Sequence, residues 1–352
     1  VRGSPLARLL FIVYLALVIY ASLYPLTGWR EHGGSPFEFF AAPWPRHTLW
    51  FDVISNVLGY AVLGLLAVLA LRPRLGGAAA VLASALLGAG LSLLMEAAQS
   101  YLPVRTPSSL DLLCNAAGVL AGALAGLRAA PWEQPLREWR ARALLPGAQA
   151  DLGLTLLGLW LFTQLNPAML LFGVGDLRDL LQWPAGPARA PELFVAIEAV
   201  TAAANLAAVA LLVSAIAAPR APVRAMVVAL VCIALAIKTF AFSVILRAQD
   251  GFDWLTPGAL QGLAAGLAVA LLAVALPRLA RLTLAAVLLM AAAILVNLAP
   301  QNPYMAAMLK FWQQGHFLNF NGLTRLLATL WPFVATGFLI HLAGRRRDNG
   351  LG

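Results

Sequence analysis

The chain has 352 residues, of which 61% are hydrophobic and 11% charged, with a mean hydropathy of +0.83 and a formal charge of +9. Soluble globular proteins carry about 25% charged residues, and the apolar residues here come in runs of about twenty, the length of a bilayer span. These values exclude a soluble globular enzyme, a nucleic-acid-binding domain and a disordered tail; the arginine excess belongs to the loops of a membrane protein.

Ten spans are expected, over residues 6–26, 51–71, 78–101, 110–128, 151–172, 192–217, 223–246, 257–276, 281–299 and 323–343. The expected fold is therefore all-α, a polytopic transmembrane helix bundle. The first run follows Arg2 and Arg8, but it is long for a signal peptide and lacks a small-x-small cleavage site, so it reads as a retained helix. With the N-terminus inside, 15 of the 24 basic residues fall in inner segments and eight in outer ones, with Lys238 inside a span. That bias places both termini in the cytoplasm. The 22 arginines against two lysines, with abundant alanine, fit a bacterial cytoplasmic (inner) membrane protein.

Three domains follow from this pass: residues 1–130 with four helices, a cytoplasmic amphipathic connector over 131–150, and a six-helix membrane domain over 151–352. The outer loops are aromatic. Residues 27–50 contain Trp29, Phe37, Phe39, Phe40, Trp44 and Trp50, and residues 300–322 contain Tyr304, Phe311, Trp312, Phe317 and Phe320 around a short expected helix, Met305–Gln314. Such residues favour the membrane–water interface, either as a belt or as the roof of a cavity. Trp132–Leu145 reads as a short amphipathic helix on the inner side. Cys114 and Cys232 each lie in an apolar run, which gives no disulfide framework and no Cys/His metal spacing.

Polar residues within spans are costly, so their positions carry information. Span two opens with Asp52 and Asn56, span three closes with Glu96 and Gln99, and span four opens with Asp111 and Asn115. Each pair is three or four residues apart and so shares one helix face. The alternating topology puts all three pairs at one depth, near the outer surface. Between spans three and four stand Arg105, Ser108 and Ser109; either serine suits the cap of span four, and Asp111 near its start complements the helix dipole. Gly118 and Gly122 permit close packing of that span on a neighbour.

Two readings of this set stay open. Asp52, Glu96, Asp111 and Arg105 neutralise one another and lock four helices together, or they form a site with net negative charge. The second suits a cationic ligand group, a hard divalent cation held by oxygen ligands, or general acid–base work. In a reaction, Glu96 and Asp111 would be the catalytic pair, and Glu96, lying within its helix, is the better proton carrier. Asp52, Asn56, Gln99, Arg105, Ser108, Ser109 and Asn115 would bind substrate, with the Arg105 guanidinium gripping a carboxylate or phosphate.

These residues carry a resemblance. The runs Asp52-x3-Asn56-x2-Gly59, Glu96-x2-Gln99, Pro103-x-Arg105 and Asp111-x3-Asn115-x2-Gly118, with Tyr20-Ala21-Ser22-Leu23-Tyr24-Pro25 ending span one, resemble the VanZ-like membrane family over roughly residues 6–128. The family is named for a protein associated with reduced sensitivity to the glycopeptide teicoplanin. The resemblance implies a cell-envelope role, with membrane lipids and a lipid-linked or peptidoglycan-related precursor as partners, and brings no settled reaction.

The second half lies outside that resemblance. Glu198 and Asn205 fall in span six and Lys238 in span seven, with Glu198 about 9 Å and Lys238 about 12 Å from the outer ends. An intramembrane Glu198–Lys238 pair is expected, as a structural neutralisation or as the coupling site of a transporter or lipid flippase. A non-catalytic scaffold for envelope enzymes is the remaining alternative. No cofactor signature, Gly-rich phosphate loop or Ser/His/Asp arrangement is present, and the four histidines are scattered.

Overall fold

The computed structural model describes residues 5–31, 33–44, 50–178, 180–181, 191–246, 248–299 and 318–348. Every regular element among them is helical: α1 (Pro5–Leu23), α2 (Trp50–Leu75), α3 (Gly77–Gln99), α4 (Ser109–Arg128), α5 (Glu133–Ala143), α6 (Ala148–Thr163), α7 (Pro191–Ile216), α8 (Val223–Ala241), α9 (Pro257–Ala273), α10 (Arg278–Leu298) and α11 (Leu318–Asp348). In hydrocarbon a backbone must satisfy its own polar groups, which helices do internally. The all-helical, multi-pass expectation holds. Residues 300–317, with the helix expected over Met305–Gln314, lie outside the described residues.

Eight of the described helices are long and apolar enough to cross a membrane: α1, α2, α3, α4, α7, α8, α10 and α11. Helices α6 and α9, at 16 and 17 residues, reach only about 25 Å against a hydrocarbon core of about 30 Å. The clearest departure from ten full spans is the fifth, expected to run to residue 172. Its helix stops at Thr163, because Pro167 lacks an N–H and disfavours helical backbone before it.

The chain divides into two compact units, Val1–Trp139 and Arg140–Gly352. In the first, α2 and α4 form the tightest helix pair. A Cβ at Gly118 or Gly122 would overlap the carbonyl oxygens of Val57 and Ala61, and one at Gly64 would overlap that of Val119. The contact therefore needs glycine on both helices, as the sequence suggested for α4. Helix α1 buries no residue and rests on α2 and α3, with the Tyr14 hydroxyl donating to Gly59 O at 2.9 Å.

In the second unit α7 is the central helix, and its length from Ala202 to Ile216 is almost wholly buried. Helix α9 lies on it through Gly258, Gly262 and Gly266, which face Val195, Ala199 and Ala203. After α6, residues 171–175 are buried although not helical. Buried irregular backbone survives only where protein groups meet its polar atoms, and here they do. Gly175 N donates to Ala328 O, Asn297 binds both Gly175 O and Leu177 N, and Thr329 Oγ1 donates to Asp176 O.

Candidate functional site

The site lies in the first unit, at the end where α2 and α4 begin and α3 ends. Ser108 adopts extended backbone (φ −140°, ψ 130°) and caps α4, its hydroxyl accepting from Leu110 N at 3.2 Å. This turns its own N–H toward α3, where it donates to Glu96 Oε2 at 2.9 Å. Glu96 is 3% exposed. Its carboxylate thus meets the N-terminal end of α4, the pole that favours an anion.

Asp111, in the first turn of α4, has the Asn56 amide, the Asp52 carboxylate and the Arg105 guanidinium as its electrostatic neighbours. One turn further along, Asn115 Nδ2 donates to Ser92 Oγ at 2.9 Å, while its buried Oδ1 has no hydrogen-bond partner. The buried Tyr60 hydroxyl lies beside Ser22, Ser92 and Glu96 without a well-formed hydrogen bond to any of them. Asn115 Oδ1 is therefore left buried without a partner, and the Tyr60 hydroxyl has only the poorly aligned Ser22 and Ser92 beside it. Such atoms are uncommon in folded proteins and ask for an explanation.

Arg105 plays a different part from the one expected of it. It does not hold a carboxylate; Nη2 donates to Ala21 O at 2.8 Å, and Nε and Nη2 donate to Tyr24 O at 3.2 and 3.0 Å. Gln99 Nε2 donates to Ser22 O at 2.9 Å. The last carbonyls of a helix have no internal partner and carry partial negative charge, so these two side chains close the end of α1. Glu96 and Asp111 act on Arg105 through space. Burial lowers the guanidinium pKa from its ordinary value, and the two carboxylates oppose that shift.

The loop between α1 and α2 is tied over this end of the unit. Ser109 Oγ donates to Phe39 O at 2.8 Å, and Arg30 N donates to Tyr101 O at 3.0 Å. Phe39 is buried and stacks on Phe40, with ring centroids 4.5 Å apart. Asp52, Asn56, Glu96, Arg105, Ser108 and Asp111 are thus brought together, with Asn115 one turn along. Gln99 and Ser109 fasten neighbouring segments. Among the described residues no three His, Cys, Asp or Glu side chains converge as a metal-ligand set.

Tyr60 and Ser92 were missed by the sequence reading. Their signal was present: Tyr60 continues the series Asp52, Asn56 at a spacing of four, and Ser92 precedes Glu96 by four. Uncharged hydroxyls simply stand out less in an apolar run than carboxylates do.

In the second unit Glu198 and Lys238 interact through space but do not meet in the expected ion pair. Lys238, 1% exposed, donates from Nζ to Asn166 O at 2.7 Å and Met169 O at 2.9 Å, with the Phe242 ring 5.5 Å from Nζ. Glu198 Oε2 accepts from Thr256 Oγ1 at 2.6 Å, and Thr256 caps α9. Each charge instead meets backbone or capping groups at the end of a neighbouring helix, which replace part of its lost hydration.

Residues 10–128 match the VanZ/LLP1 family model. No curated protein and no solved structure matches the chain. All the residues of the site fall within the matched segment, so it is the N-terminal third of this multi-pass membrane protein that is similar to the VanZ/LLP1 family.

Proposed function

We propose that the VanZ-like domain binds, or binds and modifies, the polar head of a lipid-linked or peptidoglycan-related envelope molecule at the outer leaflet of a bacterial cytoplasmic membrane. Through that molecule it affects sensitivity to glycopeptides such as teicoplanin. One observation carries the reading: carboxylates and amides from three helices meet beneath an aromatic loop, beside a buried Asn115 Oδ1 without a partner and a buried Tyr60 hydroxyl without a well-aligned one. A packed structural lock has no use for unmatched polar atoms, whereas a ligand rich in hydroxyls or amides fills them. Where a reaction follows, Glu96 is the group placed to carry the proton. The transport reading rests on Glu198 and Lys238, both of which are engaged by helix-end groups.

The test is glycopeptide susceptibility of cells carrying Glu96→Gln or Asp111→Asn in place of the wild type, measured beside protein abundance. The expected outcome is the phenotype of gene deletion at normal abundance. Wild-type susceptibility in both variants, where deletion has a clear effect, overturns the site.

A further inference from the structure

A second surface lies at the opposite end of the first unit, where α2 and α4 finish at basic residues. The chain leaves α4 through a single turn, Ala130–Trp132, and enters α5. Leu136 and Trp139 sit three residues apart on one face of that helix, with Trp132 four residues before Leu136. These three large apolar side chains are 62%, 52% and 74% exposed. The stripe is held in place: Glu133 Oε1 pairs with Arg72 at the end of α2 at 2.8 Å, and Arg137 Nε donates to Glu133 O at 3.2 Å.

The charges around it are mostly basic, and the exposed Glu138 on the same helix accepts from Gln134 Nε2 at 3.2 Å. Arg74, Arg128 and Arg137 are all exposed at this end, while Glu133 is shared between Arg72 at 2.8 Å and Arg137 at 3.6 Å. The apolar spans of α2 and α4 stop here, so the stripe stands at the depth where hydrocarbon gives way to head groups. An apolar face carrying tryptophan and flanked by arginine is the pattern of an interfacial helix, and basic residues at this depth draw anionic head groups by a factor of about five each.

We propose that α5 and the adjoining ends of α2 and α4 form a docking surface for anionic phospholipid. Trp132, Leu136 and Trp139 enter the boundary between acyl chains and head groups, and Arg74, Arg128 and Arg137 take the phosphates. A neutral or zwitterionic head group cancels the field of three guanidiniums less well than an anionic one does. This surface is independent of the outer site.

The experiment reconstitutes the full chain in nanodiscs of phosphatidylcholine with or without about 30 mol% of the anionic lipid phosphatidylglycerol, enough to give a negative surface potential. Two quantities are read: lipid retained by the protein after mild detergent extraction, and amide hydrogen exchange of residues 133–139. Phosphatidylglycerol is expected to be retained at about five times its bulk ratio to phosphatidylcholine or more. Exchange over 133–139 is expected to slow when it is present, and high salt reverses both effects. The triple variant R74Q/R128Q/R137Q is expected to return retention to the bulk ratio, with exchange in α2 and α4 unchanged as proof of folding. W132S/L136S/W139S, which keeps the arginines, is expected to lose the slowed exchange. Retention at the bulk ratio by the wild type overturns the proposal. So does protection of 133–139 that is equal in lipid-free detergent, since a protein segment would then cover the stripe.

Discussion

At the residue scale, each charge buried near a helix end has the sign that the end requires. Arg105 meets the closing carbonyls of α1, Lys238 meets carbonyls beyond the end of α6, and Glu96 and Glu198 meet the starts of α4 and α9. Arg105→Ala is expected to destabilise the first unit by about 2–3 kcal/mol, the value of hydrogen bonds made by a charged donor. Arg105→Lys keeps the charge without the planar fork and is expected to recover about half of that loss. Thermal unfolding in detergent, with amide exchange at residues 20–25, checks both. Tyr60→Phe runs the other way. Its hydroxyl has no well-aligned partner, so removal is expected to change stability by less than about 0.5 kcal/mol and, under the proposed function, to reproduce the susceptibility of gene deletion. A variant that unfolds would make the hydroxyl structural instead.

Among elements, the α2–α4 contact and the segment after α6 bear the most. Gly122→Leu is expected to cost about 3 kcal/mol or more, since a side chain must displace the backbone of Ala61; loss of monodisperse protein in detergent is the readout. Gly59 and Gly90 have open space where a Cβ would sit, and alanine at either is expected to be tolerated. Lys238→Met leaves Asn166 O and Met169 O buried without their donor. The expected loss is about 2–4 kcal/mol, with faster proteolysis or exchange over residues 164–178. That localisation separates a latch on the irregular segment from a general loss of packing.

For the whole molecule, the arginine distribution makes a statement about sides of the membrane. Cysteine placed at the exposed Thr106 is expected to react with an impermeant thiol reagent in intact cells. Cysteine at the exposed Gln134 is expected to react only after permeabilisation. The reverse pattern would invert the first unit and move its polar site to the inner leaflet.

The presence of many long apolar runs, the scarcity of charge and the spacing of Asp52–Asn56, Glu96–Gln99 and Asp111–Asn115 were legible in the chain itself, while the count of ten full spans was not. Hydrophobic length, and polar residues repeating every three or four positions, are local properties that each helix displays alone. A serine cap on α4 at Ser108 or Ser109 and the glycines of α4 were legible for the same reason, the structure choosing Ser108. What only tertiary structure decided is which group answers which. Arg105 turned to the carbonyls of α1 rather than to the carboxylates, Lys238 and Glu198 took helix ends rather than each other, and α6 stopped short in a buried, irregular segment. In a medium without water a charge settles on whatever partners best replace its hydration, and those partners come from helices distant in sequence. Local spacing fixes the face on which a charge stands; only packing chooses its partner.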